Sequence, residues 1–177
     1  MHTVKEEIKL PGFEVIDERE KKAISNIFDE GKVFFAHGFD TKRKHFHVRE
    51  FEKKLKTVFS PQMADALCVS SGTAAIKVAL KALGVGKGDH VITQAFNFIA
   101  TVEAIVDTGA SVIFTDVDDT LNMNPKSLER LITKKTKLLI INSPNNPSGS
   151  VYSEDELFEL SKIEIPYVKI VNKLKEY

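Results

Sequence analysis

Apolar positions recur along the chain at two periods, and the change from one to the other divides it. Near the start, Ala23, Ile24, Ile27 and Phe28 lie three and four residues apart. They follow Asp17-Glu18-Arg19-Glu20, which reads as a helix cap and an acidic first turn, and Gly31 is the expected stop. Phe51, Leu55 and Val58 predict a second helix over residues 48–59. From residue 64 short apolar runs alternate with helical patterns. Strands are expected at 64–69, 90–93, 111–115 and 137–142, with a weak last one at 167–171. Helices are expected at 73–83, at 98–106, from Asn124-Pro125 through Ile132, and after Ser153-Glu154-Asp155-Glu156. The proline suits a first helical position, and the last string has the spacing of a capping box. Gly84, Gly86, Gly88 and Gly109 mark turns between them.

Strands that alternate with helices of this length imply βαβ units and a mostly parallel sheet. The strands are apolar on both faces, as expected where helices cover both sides. The expected class is therefore α/β, in three α/β/α layers. An N-terminal helix and loop segment, 1–47, would precede the sheet-bearing part, 48–177. No internal repeat or low-complexity tract interrupts the pattern.

Ligands of such sheets sit beyond the carboxyl ends of the strands. Three loops fall there: 70–73, 94–98 and 143–149. The first belongs to Cys68-Val69-Ser70-Ser71-Gly72-Thr73-Ala74-Ala75, a strand-like run, a turn and a helix start. A helix N-terminus offers unpaired N–H groups and a partial positive charge. Gly72 would let an anion approach, with hydroxyls from Ser71 and Thr73, and phosphate is the natural ligand. A plain structural reading stands beside it: Ser71 caps the helix and Gly72 makes the turn.

Composition narrows the classes. The 177 residues carry 25 basic and 25 acidic side chains, so net charge provides no argument for nucleic acid or an anionic membrane. One cysteine rules out an intrachain disulfide framework and suits a reducing cytoplasm. The first residues lack the apolar core of a signal peptide, and no uncharged apolar run is long enough to span a bilayer. Lys42-Arg43-Lys44-His45-Phe46-His47 reads as a solvated basic loop, and two histidines do not make a zinc site.

Taken together, the three loops resemble those of pyridoxal-phosphate (PLP) aminotransferases of fold type I, and the strings around them resemble the DegT/DnrJ sugar aminotransferases. The likeness runs from about Arg49 to Leu139. It includes Val48-Arg49-Glu50-Phe51-Glu52, Val69-Ser70-Ser71-Gly72-Thr73-Ala74-Ala75 and Leu83-Gly84-Val85-Gly86-Lys87-Gly88-Asp89. It continues through Ala95-Phe96-Asn97-Phe98-Ile99-Ala100-Thr101, Thr115-Asp116-Val117-Asp118 and Thr133-Lys134-Lys135-Thr136-Lys137. The resemblance implies that Gly72 and Thr73, with Ser71 beside them, hold the cofactor phosphate. It implies that the ring of Phe98 stacks on the pyridine ring, where a flat π-face fixes the plane without adding charge. By itself Phe98 reads as a core aromatic at a helix start. The implied reaction passes an amino group from an amino-acid donor such as glutamate to a keto-sugar, nucleotide-linked or of the lipopolysaccharide type. The family works as homodimers. Gly38-Phe39-Asp40 is similar to the subgroup that aminates octulosonate-type sugars.

Two departures qualify this. Ser143-Pro144-Asn145-Asn146-Pro147-Ser148-Gly149 resembles the Asn-Pro-Thr-Gly segment of class I/II aminotransferases, a sister branch. That resemblance makes Asn146 a donor to the cofactor's phenolic oxygen; a plain turn is the alternative. Secondly, the lysine that forms a Schiff base with PLP and the acid that pairs with its pyridinium nitrogen are not recognisable here. Ile165-Pro166 is followed by Tyr167-Val168-Lys169-Ile170-Val171, without an acid, and Lys169, Lys173 and Lys175 fit no lysine motif. The chain thus reads as the N-terminal part of the large domain. Its 64–69 strand would lack hydrogen-bonding neighbours, an edge that invites aggregation. A rival expectation is a non-catalytic homologue that retains phosphate-site remnants or an interaction surface. A third, an unrelated phosphate-binding α/β protein, is disfavoured by the lack of a P-loop or dinucleotide glycine pattern.

Overall fold

The computed structural model describes residues 16–30, 45–59, 65–165 and 169–173. The chain forms two units, Met1–Cys68 and Val69–Tyr177. In the first, α1 (Glu18–Asp29) starts where expected. Asp17 accepts from the Arg19 N–H, and Glu20 accepts from the Asp17 N–H to complete a capping box. α2 spans His47–Phe59. The expected helix stop at Gly31, the loop at 34–40 and most of the basic cluster lie outside the described residues.

The strand expected at 64–69 is not formed over the described residues: 65–69 carry no strand pairing. A strand exists only where a neighbour completes its ladder. Here the Cys68 N–H donates instead to the Glu52 carboxylate of α2, at 2.8 Å. Leu67 stays exposed.

The second unit is the α/β body. Its elements are α3 (Gly72–Ala82), β1 (His90–Gln94), α4 (Ile99–Val106), β2 (Ser111–Thr115), α5 (Pro125–Leu131), β3 (Thr136–Ser143), α6 (Glu154–Lys162) and β4 (Lys169–Lys173). The strand order is β2-β1-β3-β4, and all three pairings are parallel. β4 begins two residues later than the 167–171 expectation.

Alternate residues of the central strands enter different cores, as a two-residue side-chain period requires. Val91, Leu138 and Ile140 pack with Leu80 of α3 and Ala104 and Ile105 of α4. Ile92, Leu139 and Ile141 pack with Leu128 of α5 and Leu160 of α6. Helices therefore cover both faces, and the α/β/α layering is present. α4 lies on one face, α5 and α6 on the other. From β1 the chain moves outward to β2, then crosses back past β1 to β3. The order reverses between β1 and β3, the switch point at which open α/β sheets form their crevices.

Candidate functional site

At the first loop, Ser71 is the N-cap of α3 and accepts from the Ala74 N–H at 3.1 Å. The structural role weighed for Ser71 is real. The turn-making role for Gly72 is not: its φ lies outside the left-handed region, and a Cβ built on it meets nothing within 4 Å. Neither backbone geometry nor packing asks for glycine there. What the missing side chain leaves is open access to the Gly72 and Thr73 N–H groups, the first two of the helix, which have no partner among the described residues.

At the second loop, Gln94 ends β1 and Phe98 is the N-cap residue of α4, with no side-chain cap. Phe98 is 51% exposed, so it is not the core aromatic its sequence context alone would make it. The third loop follows β3. Asn145 is buried and Asn146 exposed.

These loops meet. Gly72, Thr73, Phe98 and Asn146 line one cavity of about 520 Å³, within the range of small-molecule sites. Its walls are apolar: Ile76 and Ala79 of α3, with Ile140 and Ile141 of β3. Thr101 and Asn142 add polar groups. Of the five residues singled out from sequence, only Ser71 is not in the lining, although it caps the helix whose first residues are. Asn142 escaped the sequence reading; its place at the carboxyl end of β3 was the available signal. Every lining group is neutral. The one positive contribution the lining offers is the partial charge of the α3 N-terminus, not a cationic side chain.

A buried network stands behind the loops. The Tyr152 hydroxyl donates to Gln94 Oε1 at 3.0 Å and accepts from the Met123 N–H at 2.8 Å. Burial pushes that hydroxyl up to about 12. Gln94 Nε2 donates to the carbonyls of Phe96 and Leu121. Asn145 Nδ2 donates to the Phe96 carbonyl and to Ser148 Oγ.

The sequence profile of the DegT/DnrJ/EryC1/StrS aminotransferase family matches residues 17–143. The chain belongs to that family. The cofactor of the family is pyridoxal 5'-phosphate. The match ends at Ser143, where the segment resembling the sister branch begins. Over 94 residues the chain is 42% identical to the spore coat polysaccharide biosynthesis protein SpsC of Bacillus subtilis strain 168, covering 52% of this chain and 24% of SpsC. Among solved structures it resembles 3-amino-5-hydroxybenzoic acid synthase, with a TM-score of 0.69 and 26% identity over 91% of this chain and 39% of that one. It also resembles the sugar aminotransferase Spr1654 of Streptococcus pneumoniae in its PLP form. There the TM-score is 0.64 and the identity 31%, covering 82% of this chain and 34% of Spr1654. The chain thus spans about a quarter to two fifths of the length of these relatives. No helix among the described residues is long and apolar enough to cross a membrane.

Proposed function

We propose that the cavity beyond β1 and β3 is the cofactor site of a PLP-dependent aminotransferase that acts on a keto-sugar. The observation that carries this is the shared lining: an open helix N-terminus, a half-exposed aromatic ring and an amide side chain on one apolar cavity. The site fits the group. A phosphate takes the Gly72 and Thr73 N–H groups and the Thr73 hydroxyl, at a terminus that no side chain fills, while Ser71 holds the helix start as its cap. In this reading Phe98 stacks on the planar ring and the Asn146 amide donates to the phenolic oxygen; both residues line the cavity. The apolar walls offer a surface for a planar ring beside those polar groups. When bound, the cofactor supplies the electron sink that amino transfer needs. This chain's part is to hold and orient it.

The sugar assignment is supported by membership of the family and by the polysaccharide role in the name of SpsC. An amino-acid donor, a homodimeric assembly and a cytoplasmic setting complete the reading. One observation favours a second reading, cofactor binding without catalysis: no lysine and no acid line the cavity among the described residues. Two steps test both. Titrating the full chain with PLP should show saturable binding that inorganic phosphate competes. Failure to saturate, or indifference to Gly72→Val, would refute the site. Borohydride reduction and peptide mass mapping then decide between readings: a pyridoxyl-lysine adduct supports catalysis, and saturable binding without one supports the second reading.

A further inference from the structure

We propose that Asn145 is a positioning residue: its side-chain amide clamps the β1–α4 loop to the β3–α6 loop, so that Phe98 and Asn146 face the same cavity. The proposal rests on the cofactor reading above and adds a residue to it.

The Phe96 carbonyl lies two residues before Phe98. It accepts from Gln94 Nε2 at 2.8 Å and from Asn145 Nδ2 at 3.2 Å. The second Nδ2 hydrogen of Asn145 goes to Ser148 Oγ at 2.8 Å. Both donors are thus committed, one to each loop. The backbone of Asn145 is held as well, its N–H by the Ser150 carbonyl at 2.8 Å and its carbonyl by the Gly149 N–H at 2.7 Å. These bonds are out of solvent, since Asn145 and Gln94 are each 3% exposed. The next residue, Asn146, therefore starts from a fixed point.

Asn145 Oδ1 is buried and has no partner among the described residues. An unsatisfied buried acceptor destabilises a fold, so the structure carries a cost at this position. The amide cannot be turned to relieve it. The flipped form would set Oδ1 against the Phe96 carbonyl, two acceptors face to face. What the position uses is the pair of N–H donors, and what they join is the two loops that frame the cavity. A ring held by its backbone two residues away is pre-organised for stacking, while a free loop would have to be ordered by the ligand.

The test compares PLP with inorganic phosphate by calorimetry on the full chain. Phosphate needs only the α3 terminus; PLP also needs the ring of Phe98. Asn145→Ala should weaken PLP about tenfold, the worth of one aromatic contact, and leave phosphate affinity unchanged. Asn145→Leu, which keeps the size and loses both donors without adding charge, should do the same. In a Phe98→Ala background, Asn145→Ala should have no further effect on PLP. Equal weakening of PLP and phosphate would mean general loosening, and independent effects of the two substitutions would mean no action through Phe98; either overturns the proposal. Ser148→Ala removes one anchor of the same amide and is milder. It should weaken PLP selectively, two- to threefold by the same reasoning, and keeps the idea refutable if the Asn145 variants do not fold. If wild type does not bind PLP more tightly than phosphate, the cofactor reading itself fails. If it does and Asn145→Ala binds PLP equally well, only the clamp fails.

Discussion

Replacing Tyr152 with phenylalanine removes one oxygen atom and keeps the ring that packs with Met123 and Leu128. That oxygen serves two buried partners, the Met123 N–H at 2.8 Å and Gln94 Oε1 at 3.0 Å. Met123 is 1% exposed and Gln94 3%, so water cannot replace the lost bonds without opening the core. Each buried group left unpaired costs about 1–3 kcal/mol. The Gln94 amide keeps its bonds to Phe96 and Leu121, which limits its relaxation, so a total of about 3 kcal/mol is expected. For a chain of this size that lowers Tm by roughly 6–12 °C. Urea unfolding should show a lower midpoint at constant m-value. The pH dependence provides an independent sign. Burial raises the Tyr152 hydroxyl from 10.0 to about 12, so its folded value lies above its unfolded one. The neutral hydroxyl thus contributes stability that is whole below pH 10 and is lost between pH 10 and about 12. Tyr152→Phe should abolish that alkaline loss as well as lowering stability at neutral pH. A Tm shift under about 2 °C would correspond to at most about 1 kcal/mol and would refute the reasoning that both bonds are made out of water.

Three further outcomes follow from local geometry. Gly72→Ala should leave Tm unchanged or raise it slightly, because its φ is ordinary and its Cβ space empty, yet it should weaken phosphate and PLP; calorimetry and thermal melting on the same protein separate the two. Asn124→Ala removes the acceptor for the Lys126 and Ser127 N–H groups at the start of α5 and should cost about 1 kcal/mol, read by urea midpoint. The Gly86 N–H, and then Lys137, hold the Asp89 carboxylate below its usual pKa. Its folded value lies under its unfolded one, so its contribution is present above the ordinary carboxylate range and is lost as pH falls through the folded value. Asp89→Asn should cost about 1 kcal/mol at pH 7, with the gap to wild type closing in acid titrations.

Local chemistry made much of the fold legible. Asn124-Pro125 states a cap and a first turn within two residues, and Ser153 with Glu156 states another; both helices begin where those signals put them. Ser111 to Thr115 is bounded by Gly109 on one side and acids on the other, and the strand has those limits. The 64–69 run misled because an apolar segment reports a tendency to be extended, whereas a strand requires a neighbour. The Cys68 N–H finds a carboxylate instead, 16 residues back in sequence. The buried network was illegible for a related reason. Tyr152 and Gln94 are 58 residues apart, and no spacing rule links them. Phe98 shows the limit of reading one residue at a time: before a helix it suggests core, and only the company of Gly72 and Asn146 argues for a ring left half in solvent.

The placement of the cavity follows from the strand order more than from any single side chain. β1 and β3 are neighbours, but the chain leaves their carboxyl ends toward opposite faces, through α4 and through α6. Two loops that diverge from adjacent strands must leave a gap, and α3 sets its N-terminus beside it. The backbone therefore provides both the space and the partial positive charge. Side chains need add only shape and hydrogen bonds, which explains how a site suited to an anionic cofactor is lined wholly by neutral groups. On the cofactor reading proposed above, two tasks would separate: holding the phosphate and ring would fall to the sheet's switch point, while tuning the ring's electrons would require charged groups brought to the cavity from outside its present lining.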